Sequence, residues 1–344
     1  MPAKIGFAGP LSGQVRAIGE SAQAAVELVL GGRCLLAVQD DRCTPEGGRD
    51  AARRLADDPE IVGVVGHYCS VAALAAIDVY AAAKLPLVVW GAHHPEIVER
   101  GLPGIFRLCG TFRDEAAHAA QTARAHGHRS AVLIHDATGY GREQARFFAQ
   151  AWHEAGGIVR ETLTPDFSKR PDADFVWLAA APQGWWKAFA ASLGTLPAAP
   201  VDCAQLLRAV RAAGFGGPIF CAGAAMIDAT TLAHAGAAGD GAICVSEAHV
   251  PPSRLPGGAA FDARYQAANG PAPLSFYARY AADATELMAT LVADGATTRA
   301  ALTQALALQR RSGITGALAF GADGQREHVP MQAFRAAAGA WHPL

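Results

Sequence analysis

The feature that most constrains the fold is a regular alternation of short apolar runs with alanine-rich stretches. Runs such as Ile61–Val65 have the length of buried strands, whereas stretches such as Pro45–Asp57 have the length and composition of helices. Strands that alternate with helices predict a parallel sheet covered on both faces. The alternation occurs in two successive series, so the sequence predicts an α/β protein with two parallel sheets of similar build.

The first series predicts one lobe of the protein. Its strands are expected over Lys4–Ala8, Cys34–Gln39, Ile61–Val65 and Leu87–Trp90. Its helices are expected over Gly19–Leu30, Pro45–Asp57 and Val71–Ala83. A strand-like run over Phe106–Phe112 follows, and its Cys109-Gly110-Thr111 segment is the expected first crossing between the lobes.

The second series predicts the other lobe. Its strands are expected over Ser130–His135, Ile158–Thr164, Phe175–Ala180, Pro218–Cys221 and Ala242–Ser246, and its helices over Gly141–Ala155 and Cys203–Ala213. Three prolines at 251, 252 and 256 mark a return crossing. We therefore expect residues 1–111 with 252–326 to form the first lobe, and residues 112–251 with 327–344 to form the second.

Three further segments complete the prediction. Helices are expected over Ser275–Asp294 and Thr297–Gln309. A hairpin is expected from Gly313 through Phe320 to the Ala322-Asp323-Gly324 segment. The proline-rich stretch Pro182–Val201 is expected to be an extra loop.

Length and composition bound the possible functions. A chain of 344 residues with 51% hydrophobic and 17% charged residues can form two well-cored domains. The formal net charge of −2 gives no electrostatic footprint for nucleic acid or anionic lipid. No run approaches the roughly 18 apolar residues of a membrane span. No export signal precedes the first strand, so a processed exported protein and a cytoplasmic protein both stay open.

Five motifs occur in the order found in a known family. They are Gly9–Gly13, Asp40–Pro45, Gly66–Ser70, His135-Asp136 before Tyr140-Gly141, and Asp323-Gly324. Through them the chain resembles the periplasmic leucine/isoleucine/valine-binding proteins over nearly its whole length, except Pro182–Val201. The resemblance implies a type I periplasmic-binding fold. Two Rossmann-like lobes are then joined by a three-strand hinge, and the ligand binds in the cleft between them.

The same resemblance implies a function. The chain is then a periplasmic solute-binding protein that delivers a small molecule to the membrane permease of an ABC importer, as a monomer, without cofactor or catalysis. The ligand bears a carboxylate: it is a neutral or branched-chain amino acid, or an apolar or aromatic acid that lacks the ammonium. The alternative is a cytoplasmic amide or amino-acid sensor on the same fold that controls a regulator protein.

Ser70 is the first candidate for the ligand site. It follows the predicted strand Ile61–Val65 by a short loop and precedes the helix from Val71. It therefore lies near a helix N-terminus, where backbone N–H groups and the helix dipole favour an anion. By resemblance, Ser70 binds a ligand carboxylate. A serine here is also a good helix cap, and the two roles are compatible.

The turn Gly91-Ala92-His93 ends the strand Leu87–Trp90. By resemblance, its carbonyl accepts a hydrogen bond from the ligand ammonium. The family has a threonine for the carboxylate where this chain has His93. A histidine can also donate to a carboxylate, and it titrates near about pH 6.5. The alternative is a side chain that faces solvent on a polar loop.

Further residues are assigned to the site: Tyr140 by resemblance, and Tyr68 and Trp90 as aromatic walls of the pocket. Tyr140 follows the strand Ser130–His135 and is expected to contact the ligand from the second lobe; the alternative is local packing beside a glycine turn. The other expected ligand contacts are Tyr68, Cys69, Ile18, Trp90, Ala224 and Phe276. Ordinary core packing is the alternative for Trp90, because large aromatic side chains are mostly buried.

The loop Cys221–Ala225 departs from the family pattern. Amino-acid binders of the family place a glutamate here that pairs with the ligand ammonium, and this chain has Ala224. An ammonium buried without its carboxylate is costly. We therefore expect leucine, isoleucine and valine to bind more weakly than a matched acid without the amino group. Glu247 or Asp114 could replace the missing acid, and the sequence does not decide between them.

The seven cysteines bear on the cellular compartment. By resemblance, Cys43 and Cys69 form a disulfide, which indicates an oxidising compartment; two free thiols would fit the cytosol. The other five lie mostly in apolar runs and are expected in the core: Cys34, Cys109, Cys203, Cys221 and Cys244. No Cys-x-x-Cys spacing occurs, so no structural zinc or other metal site is expected.

Three chemical alternatives are weaker. A dinucleotide site at Gly6–Leu11 lacks the third glycine, and Pro10 removes a backbone N–H where a phosphate would bind. A metal site of His67, His93 and His94 needs further ligands, because neighbouring residues on an extended loop point apart. A Ser70–His93 nucleophile and base have no apparent orienting acid. The sequence therefore favours a binding protein.

Overall fold

The computed structural model describes residues 3–181, 201–227, 230–271 and 274–344. Residues 182–200 of the predicted extra loop lie outside these ranges. The chain forms two compact units: unit 1 contains residues 1–111 and 250–330, and unit 2 contains residues 112–249 and 331–344. The chain passes between the units after residues 111, 249 and 330. The second and third passages thus differ by a few residues from the positions after 251 and 326 expected from the sequence.

The strands and helices of the described residues are numbered in chain order. The strands are Lys4–Gly9 (β1), Leu35–Asp40 (β2), Ile61–Gly66 (β3), Leu87–Val89 (β4), Ile105–Arg107 (β5), Ser130–His135 (β6), Ile158–Leu163 (β7), Phe175–Ala179 (β8), Ile219–Cys221 (β9), Ile243–Ser246 (β10), Arg310–Gly313 (β11), Gly316–Ala319 (β12), Gln332–Ala337 (β13) and Ala340–Pro343 (β14). The helices are Arg16–Leu30 (α1), Pro45–Asp57 (α2), Ser70–Ala82 (α3), Glu96–Glu99 (α4), Phe112–Ala125 (α5), Gly139–Glu154 (α6), Cys203–Ala212 (α7), Ala224–Ile227 (α8), Thr231–Ala235 (α9), Gly258–Asn269 (α10), Ala278–Ala293 (α11) and Arg299–Leu308 (α12). In these described ranges, no helix has both the length and the apolar character needed to cross a membrane.

Unit 1 is built on a parallel five-stranded sheet in the order β2-β1-β3-β4-β5. Neighbouring strands pair in parallel register, for example Ile5 with Leu36 and Val64 with Leu87. Strand β3 is buried at every position, as expected for a strand covered by helices on both faces. Because all five strands run in one direction, the loops after them lie at a single edge of the sheet, where open α/β sheets bind ligands.

Unit 2 is built on a seven-stranded sheet in the order β14-β13-β10-β9-β8-β6-β7. The five strands from β10 to β7 are parallel, and the hairpin β13-β14 extends the sheet in antiparallel pairing. Buried clusters that contain Leu207 of α7 and Phe148 of α6 pack against the sheet. Phe148 stacks on Trp177 of β8 with ring centroids 4.1 Å apart. The predicted α/β class with two parallel-sheet lobes is confirmed.

The strand-like run predicted over Phe106–Phe112 is wrong at its C-terminal end, where helix α5 begins. The strand-like run over Phe106–Phe112 ends at Arg107, and Phe112 begins the helix. The buried residues of α5 follow the three- and four-residue spacing of an amphipathic helix: Phe112, Glu115, Ala116, Ala119, Ala120 and Ala123. The prediction misses this helix because the Cys109-Gly110-Thr111 segment suggests a crossing in extended chain.

Helix α10, Gly258–Asn269, is the second correction. It follows Pro251, Pro252 and Pro256, and it begins at Gly258, the second of two adjacent glycines. These residues are the usual signals of a loop. The helix packs against α1 and α11 through Phe261 and Tyr265. Tertiary packing on these two aromatic side chains therefore outweighs the local loop signal.

The disulfide expected between Cys43 and Cys69 is present, with their Cα atoms 5.3 Å apart. It joins the loop after β2 to the loop after β3, and the second loop leads directly into α3. The five remaining cysteines are free and buried, as expected of core residues. The bond therefore holds together two loops at the edge where the strands of unit 1 end.

Removal of the disulfide is expected to destabilise the protein. Replacement of Cys43 and Cys69 together by alanine should lower the free energy of unfolding by about 3 kcal/mol, because the bridge restricts the unfolded chain. Urea unfolding followed by circular dichroism measures the difference, with Cys34→Ala as the control for loss of a buried thiol. A double variant no less stable than this control would contradict a stabilising bridge.

Candidate functional site

Helix α3 of unit 1 begins at the edge of the sheet where β3 ends. Ser70 is its first residue, and Cys69 occupies the N-cap position without making a side-chain capping bond. The sulfur of Cys69 is bonded to Cys43. The Ser70 hydroxyl accepts a hydrogen bond from the backbone N–H of His94 at 3.3 Å. Ser70 is therefore not the helix cap, and it ties the start of α3 to the turn after β4.

A buried hydrogen-bond chain links the loops after β2 and β3. Asp41 Oδ2 lies 2.7 Å from His67 Nδ1, and His67 Nε2 lies 3.3 Å from the Tyr80 hydroxyl. Asp41 Oδ1 accepts from the Cys43 N–H at 2.9 Å. Burial, together with the charge of Asp41, raises the pKa of Tyr80 well above its usual value, so this hydroxyl stays protonated. This hydrogen-bond chain fixes the loop that precedes Ser70.

Four side chains of unit 1 form a continuous aromatic surface, which consists of Tyr68, Trp90, His93 and Tyr277. The Tyr277 hydroxyl lies 3.0 Å from His93 Nε2, and the two rings meet edge to face. Tyr68 lies 5.6 Å from Tyr277 between ring centroids and stacks on Trp90 at the same distance. Trp90 is fully buried, whereas Tyr68 and His93 are half-buried. The aromatic surface thus has two buried members, Trp90 and Tyr277, and two partly accessible members, Tyr68 and His93.

The turn after β4 packs tightly on this surface. A Cβ atom at Gly91 would lie 2.6 Å from Tyr68 Cδ2, so glycine lets the Tyr68 ring approach the backbone. Ala92 is fully buried, and its carbonyl accepts from the Cys109 thiol at 3.5 Å. Of the other predicted contacts in unit 1, Ile18 is buried on α1 and Phe276 is half-buried beside Tyr277.

Tyr140 of unit 2 lies in the first turn of α6. Thr138 caps this helix by accepting from the Gly141 N–H at 3.0 Å. The buried Tyr140 hydroxyl accepts from the Ala224 N–H at 3.4 Å and from the Gln144 side chain at 3.5 Å. The structure therefore brings together Tyr140 and Ala224, two residues assigned to the site from separate parts of the sequence.

Glu115 on α5 contacts the same loop. Its Oε1 accepts a hydrogen bond from the backbone N–H of Gly223, and only 6% of the residue is exposed. A Cβ atom at Gly223 would lie 2.9 Å from Glu115 Oε2. Burial first, and then the negative charge of Glu115, raise the pKa of Tyr140 well above its usual value. The loop that lacks a glutamate at Ala224 therefore has the carboxylate of Glu115 against its backbone.

Glu115 and Tyr277 are not among the residues predicted for the site. Glu115 could have been noticed as an acid within the apolar stripe of a helix, where a charged residue is rare. Tyr277 follows the predicted Phe276 directly, and no local pattern separates the two. Of the acids proposed to replace the missing glutamate, Glu247 is buried just after β10 and Asp114 is half-buried beside Glu115.

The histidines suggested for a metal site are placed differently. The side chain of His67 is buried between Asp41 and Tyr80, His93 Nε2 contacts Tyr277, and His94 Nδ1 accepts from the Glu96 N–H at 3.4 Å. Across the part of the chain that the structure describes, no three His, Cys, Asp or Glu side chains are grouped so as to hold a metal ion.

Comparison with known proteins gives one curated relative and two solved structures of particular interest. A Leu/Ile/Val-binding protein of Rhizobium johnstonii is 33% identical over 181 residues, which are 48% of this chain and 49% of the relative. The chain thus aligns with about half the length of the curated relatives that it matches.

The two solved structures match over almost the whole chain. One is an ABC transporter substrate-binding protein from Desulfitobacterium hafniense in complex with Leu, at 20% identity, TM-score 0.77 and 99% coverage of both chains. The other is a solute-binding protein of an ABC transporter from R. palustris in complex with benzoate. It has 20% identity and a TM-score of 0.75, and the match covers 100% of this chain and 96% of the other. A family model described as periplasmic binding protein matches residues 2–340, and the chain therefore belongs to the periplasmic binding protein family.

Proposed function

We propose that this chain is the solute-binding component of an ABC importer and binds a small carboxylate-bearing molecule. The ligand class is a neutral or branched-chain amino acid, or an apolar or aromatic acid. Family membership supports the proposal, as do relatives named or solved as binders of Leu/Ile/Val, Leu and benzoate. The observation that carries it is the start of α3, where Ser70 lies at a helix N-terminus without a side-chain cap.

A carboxylate suits the start of α3 for two physical reasons. The first N–H groups of a helix have no partner within the helix, and the helix dipole places a partial positive charge there. Cys69 supplies no side-chain cap, because its sulfur is in the disulfide. The Ser70 hydroxyl accepts from His94 and can donate its own hydrogen to a carboxylate oxygen.

The apolar part of the ligand is proposed to pack on the aromatic surface. Tyr68 and His93 are its half-buried members, and both contact the buried Tyr277. Ring faces accept aliphatic and aromatic groups alike, and offset or edge contacts contribute about 0.5–1.5 kcal/mol beyond area burial. The His93–Tyr277 pair adds polar groups next to this surface. These residues suit a ligand with a carboxylate at one end and an apolar group at the other.

The proposal includes a periplasmic location and a membrane permease as the partner. A disulfide between Cys43 and Cys69 fits an oxidising compartment, whereas the cytosol keeps such thiols reduced. This bond favours an exported binding protein over a cytoplasmic sensor on the same fold. We propose that the protein binds its ligand as a monomer and releases it chemically unchanged.

A thermal-shift screen tests the ligand class. The panel contains neutral amino acids, amides, and aliphatic and aromatic acids, each at increasing concentration. A ligand at one hundred times its Kd stabilises the folded protein by about 2.7 kcal/mol, so a true ligand should raise Tm clearly. Chromatography of the incubated ligand should recover it unchanged. The proposal would be contradicted if no carboxylate in the panel raised Tm. It would also be contradicted if the protein converted a ligand into another compound.

The role of Ser70 is tested on the best ligand from this screen. Ser70→Ala should weaken binding by about 1.5–3 kcal/mol, because a hydrogen bond to a charged acceptor is lost. This corresponds to roughly 10- to 150-fold in Kd by titration calorimetry. Ser312→Ala, at an exposed position of β11, is the matched control and should bind like the wild type. Unchanged affinity in Ser70→Ala would remove Ser70 from the site.

A further inference from the structure

We infer that Arg107 is a positioning residue of the proposed carboxylate site, because it holds the backbone of His94 in place against the Ser70 hydroxyl. The inference rests on the proposed function and deepens it. Arg107 is the last residue of β5, and only 1% of it is exposed. Arginine is almost never fully buried unless its charge is paired or hydrogen-bonded. The bonds of its guanidinium therefore indicate its role.

The backbone of His94 is hydrogen-bonded at both of its polar groups. Its N–H donates to the Ser70 hydroxyl at 3.3 Å, and its carbonyl accepts from Arg107 Nη1 at 2.6 Å. The Ile97 N–H donates to the same carbonyl at 3.2 Å. The bond from Arg107 is charge-assisted, which makes it stronger than a bond between neutral groups. Arg107 therefore dominates in fixing the point from which the His94 N–H reaches Ser70.

A ring of hydrogen bonds holds Arg107 and the turn after β4 together. Arg107 Nε donates to Gln325 Oε1 at 2.6 Å, and Gln325 Nε2 donates to the Cys109 carbonyl at 3.1 Å. The Cys109 thiol returns to the turn by donating to the Ala92 carbonyl at 3.5 Å. The turn is thus held at two points, Ala92 and His94, and both bonds come from β5 or from the residues directly after it.

The consequence for a ligand lies in the direction of the Ser70 hydroxyl. A hydroxyl has one hydrogen to donate and two lone pairs that accept. The His94 N–H occupies one lone pair, so the hydroxyl hydrogen is directed to another acceptor, such as a carboxylate oxygen. A group whose orientation is set before binding loses less freedom when the ligand arrives. If Arg107 no longer holds the turn, Ser70 loses this orientation and carboxylate binding weakens.

A double-mutant cycle between Arg107 and Ser70 tests the inference. The probe is whichever of L-leucine, 4-methylpentanoate and benzoate raises Tm most. By titration calorimetry with the full chain, Arg107→Met should raise the Kd of this probe about tenfold or more in the wild type, and less than about twofold in Ser70→Ala. Arg107→Lys keeps a charged donor and should lose less affinity than Arg107→Met. Equal effects in both backgrounds would overturn the inference, because Arg107 would then not act through Ser70.

Arg326→Met is the matched control for the loss of a buried arginine. Arg326 is 2% exposed in the same unit, and its side chain donates to Thr315 instead of the turn. This variant should keep the wild-type Kd within about twofold, and a loss as large as that of Arg107→Met would overturn the inference. Circular dichroism checks that each variant is folded. If Arg107→Met does not fold, Gln325→Leu replaces it. That change removes the bond to Arg107 Nε, so it should raise Kd less, and again only when Ser70 is present.

The outcomes also separate this inference from the proposed function. If the wild type binds one of the three probes and Arg107→Met keeps the same Kd, the role of Arg107 is overturned and the proposed function is still supported. The same holds if Ser70→Ala binds like the wild type, because Arg107 would then have no ligand-binding hydroxyl to position. If none of the three probes binds the wild type, the role of Arg107 is refuted for these ligands, and the wider thermal-shift screen decides the proposed function.

Discussion

The start of α3 is fixed by the ties between the loops that follow β2 and β3. The disulfide joins Cys43 to Cys69, and the Asp41–His67 hydrogen bond joins the same two loops inside the core. Ser70 comes directly after these ties, so the position of its hydroxyl and of the first helical N–H groups depends on them. The proposed anion site of unit 1 is therefore a consequence of covalent and buried polar bonds between two loops, not of the helix alone.

The fold was predictable because its signals are local and repeated. Strands such as Ser130–His135 and helices such as Pro45–Asp57 have the same bounds in the sequence prediction and in the structure. The two long helices that were not predicted, α5 and α10, were missed for different reasons. α5 has the periodicity of a helix but follows a segment that resembles a crossing, whereas α10 begins among prolines and glycines and is held by packing on α1 and α11. Only the second depends on contacts that no sequence window contains.

The site was predictable only in part, because contacts between residues far apart in the sequence leave no local signal. Ser70 and Tyr140 follow strand ends in the sequence, so topology alone places them at the ends of parallel strands. The Tyr277–His93 contact spans 184 residues, and the Glu115–Gly223 contact spans 108. Neither pairing has a local signal. The expectation about ligand charge that follows from Ala224 stays a prediction, because it depends on the ligand and on more than one residue.

The most direct test of the account is a crystal structure with the best ligand of the screen bound. We predict that the ligand carboxylate lies within about 3 Å of the Ser70 hydroxyl and of N–H groups in the first turn of α3, which is the distance of a hydrogen bond. A ligand whose carboxylate binds elsewhere, with the start of α3 occupied only by water, would contradict the account.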